Sequence, residues 1–208
     1  MKLTINLSAV PPNEYLLNPK RTDVPLEKMD LVGTFPPEMH QDGAVPGLLG
    51  QAEAFSALIS KAKKKLRIAS PFMDQGGIRV LSAELQAANQ RGVECWILTR
   101  VGDLELDKQK KFALKELDGI FGKRLRLRSY CRTAVAGQGE RVLEGLHAKL
   151  VISDDSAAYL GSGELRINSL TQLFELGTVI SGPIVEKVVA AFDAAWDRAR
   201  AVSYGKRP

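Results

Sequence analysis

Cysteine and histidine are scarce in this chain: two of each among 208 residues. Cys95 and Cys131 each fall inside an expected strand, so they read as reduced core thiols rather than a disulfide framework. With His40 and His147 they show no metal-ligand spacing, which argues against a zinc site, and no cofactor is expected. There is no run of eighteen apolar residues, so no membrane span is expected. The opening residues Met1–Leu7 lack the apolar core of a signal peptide. Together with the thiols, this gives a cytoplasmic expectation. No internal repeat is visible.

Hydrophobic residues make up 45% and charged residues 25%, an ordinary globular balance with enough chain for a real core. The net charge of +5 leans mildly toward an anionic partner. Lys2–Ala9 alternates apolar and polar residues and predicts a strand. Pro11, Pro12, Pro19, Pro25, Pro36, Pro37 and Pro46 then punctuate an irregular stretch. Residues 1–49 thus read as an extended arm with a first strand, 50–202 as the folded domain and 203–208 as a basic tail. The arm could wrap its own domain or a partner subunit. His40 reads as a loop histidine.

Phe55, Leu58, Ile59 and Ala62 recur at helical spacing over 51–63. The basic end of that helix (Lys61, Lys63, Lys64, Lys65) suits either the helix dipole or nucleic acid. Leu66–Met73 predicts a strand, Asp74–Gly77 a turn, Ile78–Arg91 an amphipathic helix ended by Gly92, and Val93–Thr99 a second strand. This is a βαβ unit with a parallel pair and a right-handed crossover. A helix follows over 106–121. Arg124–Arg132 alternates as a strand, with Arg124, Arg126, Arg128, Tyr130 and Arg132 on one face. That face is either a charge-protected edge or a basic rail that tracks a phosphate backbone. Ala134–Gly139 reads as a loop. Phe174–Ser181 predicts a strand, and Pro183 opens a long final helix with Val185, Val188, Val189, Phe192 and Trp196 as its apolar stripe.

The chemistry concentrates between these elements. Residues 146–152 read as a strand that sets His147 and Lys149 on one face, about 7 Å apart along the chain. Asp154–Ser156 is a turn, Ala157–Leu160 a short strand, and Gly161-Ser162-Gly163 a run of small residues that admits a ligand. An imidazole can act as nucleophile or general acid, an ammonium can hold a phosphate, and a hydroxyl can donate to its oxygens.

His147, Lys149, Asp154, Gly161 and Ser162 stand in the order H-x-K-x(4)-D-x(6)-G-S. This resembles the HKD motif of the phospholipase D superfamily, and Glu175 resembles that family's downstream Glu. The likeness covers about residues 50–200, with one motif. Two positions depart from it: Glu164 and Leu173 stand where the family usually has Asn.

The resemblance implies an α/β fold, a mixed β-sheet flanked by helices on both faces, with one HKD half per chain. It implies a metal-independent phosphodiesterase in which one His attacks phosphorus to form a phosphohistidine and another protonates the leaving oxygen. With one motif per chain, a homodimer must supply the pair. His147, Lys149, Asp154, Ser162 and Glu175 would be the catalytic set, with Asp154 giving support through hydrogen bonds and Glu175 orienting an imidazole. Gly161, Glu164, Asn168, Arg124, Arg126 and Arg128 would contact substrate. Nucleic acid is the expected partner, and the resemblance suggests a larger DNA-processing or anti-phage assembly as the setting. Two alternatives stay open: a phospholipid or other small-phosphodiester hydrolase or transferase, and a non-catalytic nucleic-acid-binding or scaffold subunit.

Overall fold

The computed structural model describes residues 29–36, 39, 48–101, 108–136 and 139–202. The expected strand at Lys2–Ala9, His40, the 203–208 tail and most of the proline-rich arm lie outside them. The elements in chain order are β1 (Met29–Thr34), β2 (Leu49–Gly50), α1 (Gln51–Lys61), β3 (Lys65–Ala69), α2 (Gln75–Val80), α3 (Ser82–Gln90), β4 (Glu94–Thr99), α4 (Lys108–Phe121), β5 (Leu125–Ser129), β6 (Cys131–Ala136), β7 (Gly139–Gly145), β8 (Leu150–Ser153), β9 (Ala157–Gly161), α5 (Ile167–Thr171), β10 (Glu175–Ser181), α6 (Ile184–Arg198) and β11 (Arg200–Ala201).

Among the described residues, one mixed sheet has the order β11-β5-β4-β3-β8-β9-β10-β1-β2, and β6 and β7 pair separately. Strands β3, β4 and β5 run parallel, as the βαβ pattern predicts. From β8 to β1 each pairing is antiparallel. Alternation along the strands feeds two cores. Leu66, Ile68, Ile97, Val151, Tyr159 and Val179 pack under α1 to α5. Ala69, Leu98, Ile152, Ala158 and Ile180 pack against Val185, Val188, Phe192 and Trp196 of α6. Helices therefore cover both faces of the mixed sheet, the expected class. Cys95, which is buried, and Cys131, which is partly so, are not joined by a disulfide.

Several local expectations change. Met29–Thr34, expected in an irregular arm, is a sheet strand paired with β10, and Val32 lies in the core. Asp74–Gly77 is not a turn but a helix start. The Asp74 carboxylate caps α2 by accepting the Gly77 N–H at 2.7 Å. The helix expected over 78–91 is two helices that meet at Leu81, where φ of −103° and ψ of 11° leave the helical region. That bend lets Ile78, Leu81 and Leu85 all reach the core. Gly92 does follow the second helix, at φ +84°. The strand expected over 124–132 breaks at Tyr130, whose N–H bonds the Thr99 carbonyl while its own carbonyl accepts from Leu146. The expected loop over 134–139 instead has Ala134–Ala136 in β6 and Gly139 in β7.

Two polar clamps hold the sheet's lower end. Arg67, buried beneath α6, donates to Asp193 at 3.1 Å and to Asp155 at 3.0 Å, tying α6 to the β8–β9 turn. The Asp154 carboxylate accepts the backbone N–H groups of Lys63, Lys64 and Lys65 at 3.0, 2.9 and 2.8 Å. Asp154 itself takes φ 51°, a left-handed conformation that Asp tolerates better than most residues.

Candidate active site

The site forms at the other end of the sheet, where β3, β4 and β5 finish and β8 begins. Ladder pairing of β8 starts at Leu150, opposite Ala69, so the strand is shorter than the expected 146–152. The alternation still holds through the lead-in. Leu146 is buried against the α6 core, while His147 and Lys149 take the opposite face. Lys149 Nζ lies 3.4 Å from His147 Nε2. The imidazole is exposed and free to meet a substrate.

Lys149 reaches Glu164 as well, at 3.5 Å, with each side chain only 11% exposed. Glu164 departs from the motif, and a cation neutralises it. Burial pushes its carboxyl above the usual range, the Lys149 and Arg166 charges pull it back, and Glu175 adds to the push. Arg166 also pairs with Asp74 at 3.8 Å.

Glu175 is held by two serines. Its Oε2 accepts from Ser162 Oγ at 2.5 Å and its Oε1 from Ser169 Oγ at 2.7 Å. Its bonds within this chain thus run to hydroxyls rather than to His147, where the expectation had it orient its own or its neighbour's imidazole. Ser169 was not legible as a site residue. Its buried hydroxyl also accepts the Glu164 N–H at 2.8 Å, so it fixes both carboxylate-bearing segments. Asn168, expected to supply an amide, is exposed on α5 beside it.

The small residues answer to neighbours inside the chain. A side chain at Gly161 would collide with the Tyr159 hydroxyl, and one at Gly163 with the Gln51 amide. Tyr159 in turn accepts the Gly163 N–H at 3.0 Å, and burial pushes its phenol up to about 12. Close packing of Gly161 and Gly163 on Tyr159 and Gln51 therefore requires small residues here, on either side of the exposed Ser162. Neither residue carries a motif that marks it.

The arginine row is not brought to this site. Arg124 lies before β5, at the end of the sheet opposite His147, and donates to Asn89 at 3.2 Å. Arg126 pairs with Glu94 at 3.4 Å. Arg128 donates to the Trp196 carbonyl at 2.8 Å and lies 5.1 Å from that ring's centroid. Among the described residues, no group of three or more His, Cys, Asp or Glu side chains is placed to hold a metal ion. No helix there is long and apolar enough to cross a membrane.

Residues 55–196 match the family described as "Cardiolipin synthase, PLD-like domain". No curated protein matches the chain as a relative. Among solved structures, NucT from Helicobacter pylori superposes with a TM-score of 0.60 at 16% identity, over 84% of this chain and 99% of its own. Nuc from Salmonella typhimurium, a phospholipase D family member, gives 0.56 at 17% identity, over 84% and 98%. The phosphatidylserine synthase of Haemophilus influenzae gives 0.52 at 14% identity, over 85% of this chain but 40% of its own. At such identities these likenesses are of fold.

Proposed function

This chain belongs to the phospholipase D-like family, and from that premise we propose that it is a metal-independent phosphodiesterase of DNA or RNA, working as a homodimer. One observation carries the reading: an exposed imidazole whose Nε2 lies 3.4 Å from a buried-stem ammonium, at the mouth of a rigid motif. His147 Nε2 attacks phosphorus, the N–P bond forms and the P–O bond to the leaving group breaks. The partner copy's imidazole gives the leaving oxygen its proton. Water then attacks the phosphohistidine, loses a proton to that same imidazole and releases His147. Lys149 offsets the charge that grows on the non-bridging oxygens. Ser162, held by Glu175, can donate to one of them only by giving up its bond to that carboxylate.

An apolar patch beside the site supports a second copy. Leu173, Phe174 (60% exposed) and Leu176 flank Glu175, and Leu31 and Met29 extend the patch along β1. A monomer gains nothing from showing so much apolar surface next to a polar site. The same patch favours a second reading, in which the surface meets a lipid interface and the substrate is a phospholipid.

Incubation with labelled oligonucleotide and, separately, with phospholipid vesicles, both in chelator, separates these readings. Label trapped on His147 from the oligonucleotide, in a protein that light scattering shows to be a dimer, supports the nuclease. Its absence in a cleaving enzyme, or loss of cleavage in chelator with recovery on adding a divalent ion, overturns the mechanism. His147→Asn should stop turnover and leave the fold intact, because the ring is exposed.

A further inference from the structure

Phe72 follows β3, at the end of the sheet that carries the site. Its loop is fastened rather than loose. Ser70 Oγ donates to the Phe72 carbonyl at 2.5 Å and accepts the Leu165 N–H at 3.1 Å. The Thr99 hydroxyl holds the Ser70 carbonyl at 2.9 Å. The next residue, Met73, is buried and bridged to Leu165, yet Phe72 keeps 37% of its surface exposed. A ring held outward by its own backbone is not one that lacks a place in the core.

The ring does not stand alone. The Arg100 guanidinium carbon lies 4.6 Å from its centroid, and Lys110 Nζ 5.5 Å away. Lys110 also donates to the Arg100 carbonyl at 2.6 Å, which sets the position of that backbone. The stem of Arg100 lies along Gly145, where a Cβ would come 3.0 Å from Arg100 Cδ. Gly145 is two residues before His147. The loop of Phe72 is also bound to Leu165, beside the Glu164 that pairs with Lys149. A flat aromatic and cationic surface therefore adjoins the histidine from the β3–β4 side.

Resting on the nucleic-acid reading above, we propose that Phe72 and Arg100 form a stacking subsite for the base of a nucleotide next to the scissile phosphate, so that the preferred substrate is single-stranded. A guanidinium plane and a phenyl ring both accept a base face, whatever the base. The Arg100 guanidinium attracts the neighbouring phosphate, while the buried Lys110 holds the Arg100 backbone in place. The Arg100 guanidinium would repel a cationic lipid headgroup. A base inside a duplex has both faces occupied and cannot enter without unstacking.

The test uses the full-length wild-type protein, Phe72→Ala, Phe72→Leu and Phe72→Trp, with folding followed by thermal melting. Substrates are single-stranded oligonucleotides that are intact or carry one abasic nucleotide beside the cleaved phosphate, and the matching duplex. Loss of one stacked base should raise KM about 5- to 150-fold, with a smaller change in kcat. Phe72→Ala and Phe72→Leu should show that loss on intact single strands, and Phe72→Trp should not. The abasic substrate should impose it on the wild type and add nothing in Phe72→Ala. Equal KM for leucine and tryptophan variants, or abasic and Phe72→Ala effects that multiply in full, overturns the subsite while the nuclease reading stands. Wild-type protein that cleaves vesicle phospholipid through His147 and no oligonucleotide overturns both.

Discussion

Lys149 and Glu164 face each other across 3.5 Å at the threshold of the site, so the ammonium meant for a phosphate already has an anion. At about 4 Å and an effective dielectric near 20, a carboxylate repels a bound phosphodiester by about 4 kcal/mol before compensation. Pairing with Lys149 offsets part of this.

Glu164→Asn should therefore lower KM about tenfold, or ~1.4 kcal/mol. The gain should depend on pH. Burial raises the Glu164 carboxyl, so it takes up its proton at higher pH than an ordinary Glu. Below that value the wild-type residue is neutral and resembles the amide. The advantage of Glu164→Asn should appear only as pH rises through it, in steady-state profiles of kcat/KM. An Asn variant that folds and dimerises but has lost all cleavage would make the carboxylate a working part of the chemistry.

Asp154 should matter to stability with the opposite sign. Burial alone would raise its carboxyl, but the N–H groups of Lys65, Lys63 and Lys64 and the Lys64 charge outweigh it, and the net position is lowered. A depressed carboxyl adds stability above its unfolded value that is lost as pH falls through the folded one. Asp154→Ala should cost about 2 kcal/mol at neutral pH, with the exposed part of the network discounted. Urea melts of both proteins should draw together in strong acid, short of the roughly 1–2 kcal/mol that the left-handed φ costs Ala.

Ser169→Ala should damage the site without touching the motif. It strands the Glu164 N–H and frees one oxygen of Glu175. The expected loss is about 2 kcal/mol in stability, with kcat reduced as Glu175 loses its orientation. Unchanged kcat and unchanged urea midpoint would remove Ser169 from the machinery.

Arg126→Ala with Arg128→Ala separates the two readings of the arginine strand. Arg128 is spent on the α6 carbonyl and the Trp196 ring, and Arg126 on Glu94. The pair should lose roughly 1–2 kcal/mol of stability. Nucleic-acid affinity should keep its salt slope. A slope reduced by about two would restore the basic rail.

The legible part of this protein is its local patterning. The strands of Ile68 and Ile97 and the apolar stripe between them are regular enough that the βαβ unit follows from period alone, though not the break at Leu81, and the HKD spacing marks His147, Lys149 and Ser162 directly. What stayed hidden depends on residues far apart in sequence. Met29–Thr34 carries little periodicity, because Gly33 interrupts it and its strand partner lies near residue 180. Tyr130 looks like one more alternating strand residue; only the Thr99 and Leu146 backbones divert it. Ser169 and Gln51 are polar residues on amphipathic helices, and nothing local says that they turn inward.

Strand β8 is four residues long, and its two ends have unlike duties. At one end Asp154 grips three consecutive amides; at the other, His147 waits three residues before the first ladder pair. Side chains change face with every residue, so a slip of one position would send the imidazole and ammonium under α6 and bring Leu146 to the substrate. Asp154 thus works as the zero mark of a ruler whose graduations end at the nucleophile. A single-residue insertion anywhere in β8 would leave every motif residue present and the reactive face blank.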